Sequence, residues 1–143
     1  MTGAGLRSDP LIKAARRIVD VAVHDRDAIT KLGINSDFGE IDIQQRAAPS
    51  FAVEALDGDT VDLSALQGKV VMLDFWSSWC PPCRREAPYL AQVYREYESR
   101  NVEFVGLAIW DRQGNVENYV QEFGMSYPNL IDDTGQIGID YGV

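Results

Sequence analysis

The stretch KVVMLDFWSSWCPPCRRE, residues 69–86, holds both cysteines of the chain and decides how the rest is read. Its first part, KVVMLDFW (69–76), is a near-continuous apolar run of strand length, the pattern of a strand buried on both faces. Past the cysteines, EAPYLAQVYREYESR (86–100) has helical composition, with Leu90, Val93, Tyr94 and Tyr97 able to share a face. Cys80 therefore falls just beyond the carboxyl end of a strand and at the start of a helix, the edge where open α/β sheets place their sites. A thiolate there meets unpaired backbone N–H groups and the positive end of the helix dipole, and both lower its pKa. Cys80 is the expected nucleophile. Cys83, about one helical turn further on, can reach it to close a disulfide and is expected to be the more enclosed, resolving thiol. Pro81 and Pro82 fall at early helical positions, where a missing N–H costs little.

Working outward, VEFVGLAIW (102–110) reads as a second buried strand and NVENYVQEFGM (115–125) as a helix ending near Gly124. YPNLID (127–132) is a short third strand before the turn DDTGQ. Upstream, FAVEALDGDTVDLSAL (51–66) has two short runs around Asp57-Gly58, a hairpin signal. Strands alternating with helices predict an α/β sheet whose crossover-linked strands lie parallel. Near the start, Ser8, Asp9 and Pro10 signal a helix beginning, and Leu11, Ala15, Ile18 and Ala22, flanked by Ile12, Val19 and Val23, recur at helical spacing until Gly33. An amphipathic helix of this kind needs a surface to pack on, either the main domain or a partner. INSDFGEIDIQQRAAPS (34–50) carries no strong period and reads as a connector, so the chain divides into an extension (1–47) and a domain (48–143).

Charge and composition remove several function classes. The chain has 143 residues, 13 basic and 22 acidic side chains and a formal charge of -9, which repels phosphate backbones and anionic lipid heads. No uninterrupted apolar run approaches the ~18 residues of a membrane helix, and charges interrupt the N-terminal segment where a signal peptide would be apolar. The cysteine pair also has blander readings. A structural disulfide gains little unfolded-state entropy from so short a loop, and a zinc site would have only these thiols and the single His24 to draw on. Two merely buried cysteines would not need to sit between a strand and a helix. A redox dithiol, with no metal and no organic cofactor, accounts best for the pattern. Hydrolase chemistry is poorly supplied, since His24 lies in the extension and no oxyanion motif accompanies it.

The run APSFAVEALDGDTVDLSALQGKVVMLDFWSSWCPPCRREAPYL (48–90) resembles the thioredoxin superfamily, and within it the TlpA/ResA/CcmG branch of thiol-disulfide oxidoreductases. The AP-x-F opening, the hairpin before GKVV, the FW-x-x-WCPPC site and the E-x-P after it carry the resemblance. It continues through VEFVGLAIWD, NVENYVQEFGMSYPNLIDD and YGV, over residues 48–143. It implies a thioredoxin-like fold, a mixed sheet flanked by helices, with an extra N-terminal helix outside it. Cys80 matches the attacking cysteine and Cys83 the resolving one. Trp79 matches an exposed aromatic beside the site and, with Pro81 and Pro82, is expected to face substrate. Asp74 coincides with the buried acid that moves the resolving thiol's proton. An aspartate inside VVMLDFW is costly to bury unless it works or is well paired. Glu86 matches a glutamate that tunes dithiol protonation, and Pro88 the proline inside the following helix.

The branch also implies a cis-proline loop, two more strands and a last helix beyond the position of Val143, while Pro128 matches only the proline before the preceding strand. The expectation is an incomplete sheet with one open edge, through which copies of the chain could associate. The implied activity is disulfide exchange with protein substrates, recharged by an upstream thiol reductant, in an extracytoplasmic or periplasmic setting that includes cytochrome c maturation. Two other readings compete. A peroxiredoxin-like peroxidase would want proline where Leu73 stands and threonine or serine where Ser77 stands, so half of its motif is present. An interaction module would keep the dithiol as a weakly active remnant and recruit a partner through the exposed helix or sheet edge.

Overall fold

The computed structural model describes residues 35–36, 39–40 and 47–143, so the expected N-terminal helix and His24 lie outside the described residues. Asn35–Ser36 and Gly39–Glu40, within the expected connector, pair antiparallel in a two-residue ladder. The domain that follows is ordered as strand β1 (Ala52–Glu54), strand β2 (Thr60–Asp62), a 3-10 turn (Leu63–Leu66), strand β3 (Val70–Trp76), helix α1 (Pro81–Tyr97), strand β4 (Val102–Ile109), helix α2 (Gln113–Phe123), strand β5 (Asn129–Asp132) and helix α3 (Gln136–Tyr141).

The main sheet has the order β3-β4-β5, with both pairings parallel. Two helical crossovers join these strands, as the alternating sequence pattern requires. β1 and β2 form the expected antiparallel hairpin, though its connection is wider than a two-residue turn: Ala55 N–H donates to the Asp59 carbonyl, and Gly58 takes the positive φ of 91°. The hairpin reaches the sheet through an antiparallel bridge from Ala55 to Leu130, and Leu56 N–H donates to the Asn129 carbonyl at 3.0 Å. A parallel sheet with an antiparallel attachment is the expected mixed α/β architecture.

Two apolar layers cover the sheet. On one face Trp76, Phe104 and Ala108 meet Ala87, Val93, Tyr94 and Tyr97 of α1 and Val116 and Tyr119 of α2. On the other, Val105, Leu107 and Leu130 meet Ala55 and Val61 of the hairpin region, with Phe51, Phe75 and Ile137 beside them. The alternation of side chains along each strand makes this division, since neighbours in sequence point to opposite faces.

β3 departs from the sequence expectation. Only Trp76 is buried along it, and Val70 to Phe75 are half-buried. β3 stands at the sheet edge with β4 as its strand partner among the described residues, so its apolar side chains are covered from one side. α3 is a further departure, since six residues with a glycine inside carry little helical signal. It is held from outside: Gly138 N–H donates to Asp132 Oδ2 at 2.9 Å, and the Tyr141 hydroxyl donates to the Pro49 carbonyl at 2.8 Å. The Tyr141 ring lies 5.6 Å from that of Phe75, which ties the start of the domain to the edge strand.

Candidate active site

The loop between β3 and α1 carries the dithiol. Cys80 is the N-cap of α1, with Pro81 and Pro82 exposed in its first turn. Cys80 and Cys83 are joined as a disulfide with their Cα atoms 5.3 Å apart. The Cys83 N–H donates to Cys80 Sγ at 3.3 Å, so a helix-start donor is aimed at the sulfur expected to attack. Both cysteines are half-buried, and Cys83 alone of the two packs against the aromatic layer around Trp76 and Tyr119.

Three hydrogen bonds fasten this loop to the segment leaving β4. The Ser77 hydroxyl, buried, donates to the Ile109 carbonyl at 2.6 Å. Ser78 N–H donates to Asp111 Oδ2 at 2.5 Å, and the Trp79 indole N–H donates to the Trp110 carbonyl at 3.2 Å. Burial pulls the Asp111 carboxyl upward in pKa, but the donors from Ser78, Arg112 and Asn115 outweigh it and hold the group below the usual carboxylate value. Asp111 therefore stays charged and keeps the loop in register. Arg84 adds a fourth tie, donating through Nη1 to the Ser78 carbonyl at 3.2 Å and through Nη2 to both carboxylate oxygens of Glu122 on α2 at 2.6 and 2.8 Å.

Asp74 lies on the helix-covered face of β3, two residues before Trp76. Burial pushes its carboxyl up to about 6, against a hydrogen bond from the Tyr127 hydroxyl (3.2 Å) that pulls it down and the charge of Glu86 that adds to the rise. Glu86 itself is exposed on α1, within electrostatic reach of that carboxyl. Burial and the neighbouring Asp74 raise the Tyr127 phenol as well, so it stays a proton donor at neutral pH. Tyr127 is seated by ring contacts to Tyr94 and Phe104 at 5.4 and 5.6 Å.

The layer behind the dithiol leaves little freedom. Trp76 is 1% exposed and stacks on Tyr119 with ring centres 4.1 Å apart. In the row Asp74, Gly106, Asn129 across the sheet, Gly106 is required by close approach, since a Cβ there would lie 2.0 Å from Asn129 Oδ1. Trp79, in the loop itself, is 61% exposed, as the resemblance implies.

Residues 44–143 match the AhpC/TSA family. The chain belongs to that family. AhpC/TSA domains share the thioredoxin-like architecture seen here, and the solved structures agree with it. A secreted Mycobacterium tuberculosis disulfide oxidoreductase homologous to Escherichia coli DsbE superposes with a TM-score of 0.60 at 37% identity, covering 64% of this chain and 66% of that one. A thiol:disulfide interchange protein of the thioredoxin family from Chlorobium tepidum gives 0.63 at 35% identity, covering 71% and 69%. Among curated sequences, thiol-disulfide oxidoreductase ResA of Bacillus subtilis is 36% identical over 96 residues, which is 67% of this chain and 54% of the relative. ResA of Bacillus thuringiensis is 38% identical over 98 residues, 68% and 57%. The chain thus spans a little over half the length of the curated relatives it matches.

The AhpC/TSA domain brings Cys80, Cys83, Trp79, Pro81 and Pro82 onto one loop and helix start, with Asp74 on the strand behind and Glu86 on the first turns of α1. Sequence reasoning passed over Ser77 as a clamp and missed Asp111, Arg84, Tyr127 and Trp110. Trp110 was expected inside the second buried strand, yet it lies past Ile109 and is 64% exposed. A signal existed in the Trp-Asp pair at the end of VEFVGLAIWD, because the segment following the neighbouring parallel strand must lie beside the loop that follows β3.

Proposed function

We propose that this chain is a thiol-disulfide oxidoreductase acting on protein substrates through Cys80 and Cys83. The observation that carries the reading is the Cys80–Cys83 disulfide at the start of α1, with the Cys83 N–H directed at Cys80 Sγ. In the reduced protein, the Cys80 thiolate attacks one sulfur of a substrate disulfide, forms a mixed disulfide and expels the other substrate sulfur as a thiolate, which takes up a proton. Cys83 then gives up its proton, attacks Cys80 Sγ and releases the second substrate sulfur. The substrate leaves reduced by two electrons and Cys80–Cys83 is left oxidised, to be reduced again by an upstream dithiol. Asp74, held near neutrality by burial, is the group suited to accept the Cys83 proton, with Glu86 tuning it electrostatically. Trp79, Pro81 and Pro82 form the rim that substrate meets. The dithiol is itself the electron carrier, so the reaction needs neither metal nor organic cofactor.

The setting we propose is extracytoplasmic, with exported proteins as substrates and apocytochrome c haem-site cysteines among them. The resemblance to the ResA branch and the secreted M. tuberculosis relative support this. No helix among the described residues is long and apolar enough to cross a membrane. The peroxidase alternative has a shared scaffold and half of its motif, Ser77; against it, the Ser77 hydroxyl is buried and spent on the Ile109 carbonyl, and Leu73 stands where that chemistry wants proline.

The test is insulin disulfide reduction in dithiothreitol, with hydrogen peroxide consumption measured alongside. The protein is expected to accelerate insulin precipitation and Cys80→Ser to return it to the uncatalysed rate. Peroxide turnover exceeding insulin turnover would replace this reading with the peroxidase one.

A further inference from the structure

Along β4, side chains alternate between the two faces, and Phe104, Gly106 and Ala108 belong to the helix-covered side. Continued by two, that alternation would bury the residue at 110 beneath the helices. The backbone prevents it: Trp110 has φ 52°, a left-handed conformation that few bulky residues adopt, and this breaks the strand register. The indole ends up 64% exposed. Core packing therefore does not explain why a tryptophan stands here in a conformation that favours glycine.

What surrounds Trp110 points to a use. Its carbonyl receives the Trp79 indole N–H at 3.2 Å, and the residues before and after it hold Ser77 and Ser78. Its own indole lies over Gly135, where a Cβ would come within 3.2 Å of Nε1 and press the ring away. Two large exposed aromatics, Trp79 and Trp110, are thus tied together through the Trp110 carbonyl, and Trp79 directly precedes Cys80. Exposed apolar surface concentrated at one place marks a contact surface, and tryptophan is prominent among the residues that carry contact energy.

We propose that Trp110 is a substrate-specificity residue: with Trp79 it forms an aromatic platform that binds apolar side chains flanking the disulfide of an extended protein segment. The inference rests on the disulfide-exchange reading. A mixed disulfide fixes the substrate cysteine's Cα about 4.4–6.8 Å from that of Cys80. An extended substrate advances roughly 3.3 Å per residue, so the side chains one or two positions from its cysteine fall on the surface beside Cys80. Trp79, adjacent to Cys80, and Trp110, bonded to Trp79, offer indole to those side chains, and indole favours leucine, phenylalanine or tyrosine over serine, glycine or charged residues. The occupant is accordingly a segment whose disulfide is normally buried in a folded core, met while the substrate is unfolded.

The experiment compares two peptide disulfides identical except for the residues beside the cysteine, leucine and phenylalanine in one, serine and glycine in the other. Their second-order rates of reduction are measured with the reduced wild-type protein, Trp110→Ala and Trp110→Phe. The wild type is expected to prefer the apolar peptide by about five- to tenfold, Trp110→Ala to bring the preference within about twofold of unity, and Trp110→Phe to keep most of it. A structural disturbance of the dithiol loop slows both peptides alike and leaves the ratio where it was, so an unchanged ratio in Trp110→Ala overturns the proposal. A wild-type ratio near unity does the same. Failure of the wild type to reduce either peptide instead removes the exchange reaction, a result that does not involve Trp110.

Discussion

β3 and β4 are apolar strands of nearly equal length, lying side by side in one parallel register from Val70 opposite Val102 to Trp76 opposite Ala108. By composition they are the same kind of strand, yet β4 is buried at every position but Glu103 and β3 at Trp76 alone. Apolar content states what a strand can be covered by; the number of neighbours decides what covers it. The central strand is the structural one. β3, with one strand neighbour among the described residues, delivers Asp74 and the dithiol loop.

The widest separation between the two strands should appear when matched side chains on one face are shortened. Phe104→Ala, from a fully buried ring in contact with Tyr94 and Tyr127, should cost about 3–5 kcal/mol of unfolding free energy. Met72→Ala, at the position facing it on β3 and half-buried, should cost about 1–2 kcal/mol, because the site was never sealed from water. Urea denaturation measures both. Equal losses would mean that β3 is covered in solution as thoroughly as β4, and the comparison would fail.

How much of this the residues announce depends on how local the cause is. The alternation of strands and helices, the cap at Cys80 and the stop at Gly124 are set by neighbours in sequence, and KVVMLDFW followed by WCPPC displays them openly. The α/β sheet and the dithiol were legible for that reason, and the thioredoxin-like fold through the family resemblance of residues 48–143. The half-burial of β3, with one strand neighbour among the described residues, was not legible, since the apolar run VVMLDFW suits a strand with two. α3 was hidden because Asp132, Pro49 and Phe75, which hold it, come from other elements. Tyr127 reads as an ordinary aromatic before a proline until the crossover brings it to Asp74, and Trp110 reads as the end of a strand until its φ is known.

A smaller effect, opposite in sign, comes from the carboxyl on the edge strand. Asp74 has a folded-state value of about 6 against an ordinary 3.8, so the folded chain holds this proton more tightly than the unfolded chain does. The cost of burying the charge is therefore absent below pH 4, grows through the window from 4 to 6 and is complete above it. A difference of this size is worth on the order of 3 kcal/mol at most. Asp74→Asn should thus stabilise the protein at pH 8 by about 2–3 kcal/mol, with no gain at pH 4, while slowing insulin reduction because no base remains behind Cys83. A variant that is less stable at pH 8 would show that the carboxylate is better paired than the Tyr127 contact alone accounts for.

The smallest effect isolates that contact. Tyr127→Phe keeps the ring against Tyr94 and Phe104 and removes only the hydroxyl that donates to Asp74 Oδ2 at 3.2 Å. The donor serves the charged form better than the protonated one, so its loss should raise the Asp74 value further. Above that value the variant loses a hydrogen bond to a charged group, about 1.5 kcal/mol; near pH 4, where Asp74 is protonated in the folded chain, the loss should shrink to about 0.5 kcal/mol. The rate of disulfide reduction should then rise with pH along a limb displaced upward from that of the wild type. If Tyr127 only fills space, the stability loss is equal at both pH values and the limb stays in place. A pH-dependent loss that disappears in the Asp74→Asn background would assign the effect to this one pair, placing part of the site's proton control on the segment entering β5, across the sheet from the dithiol.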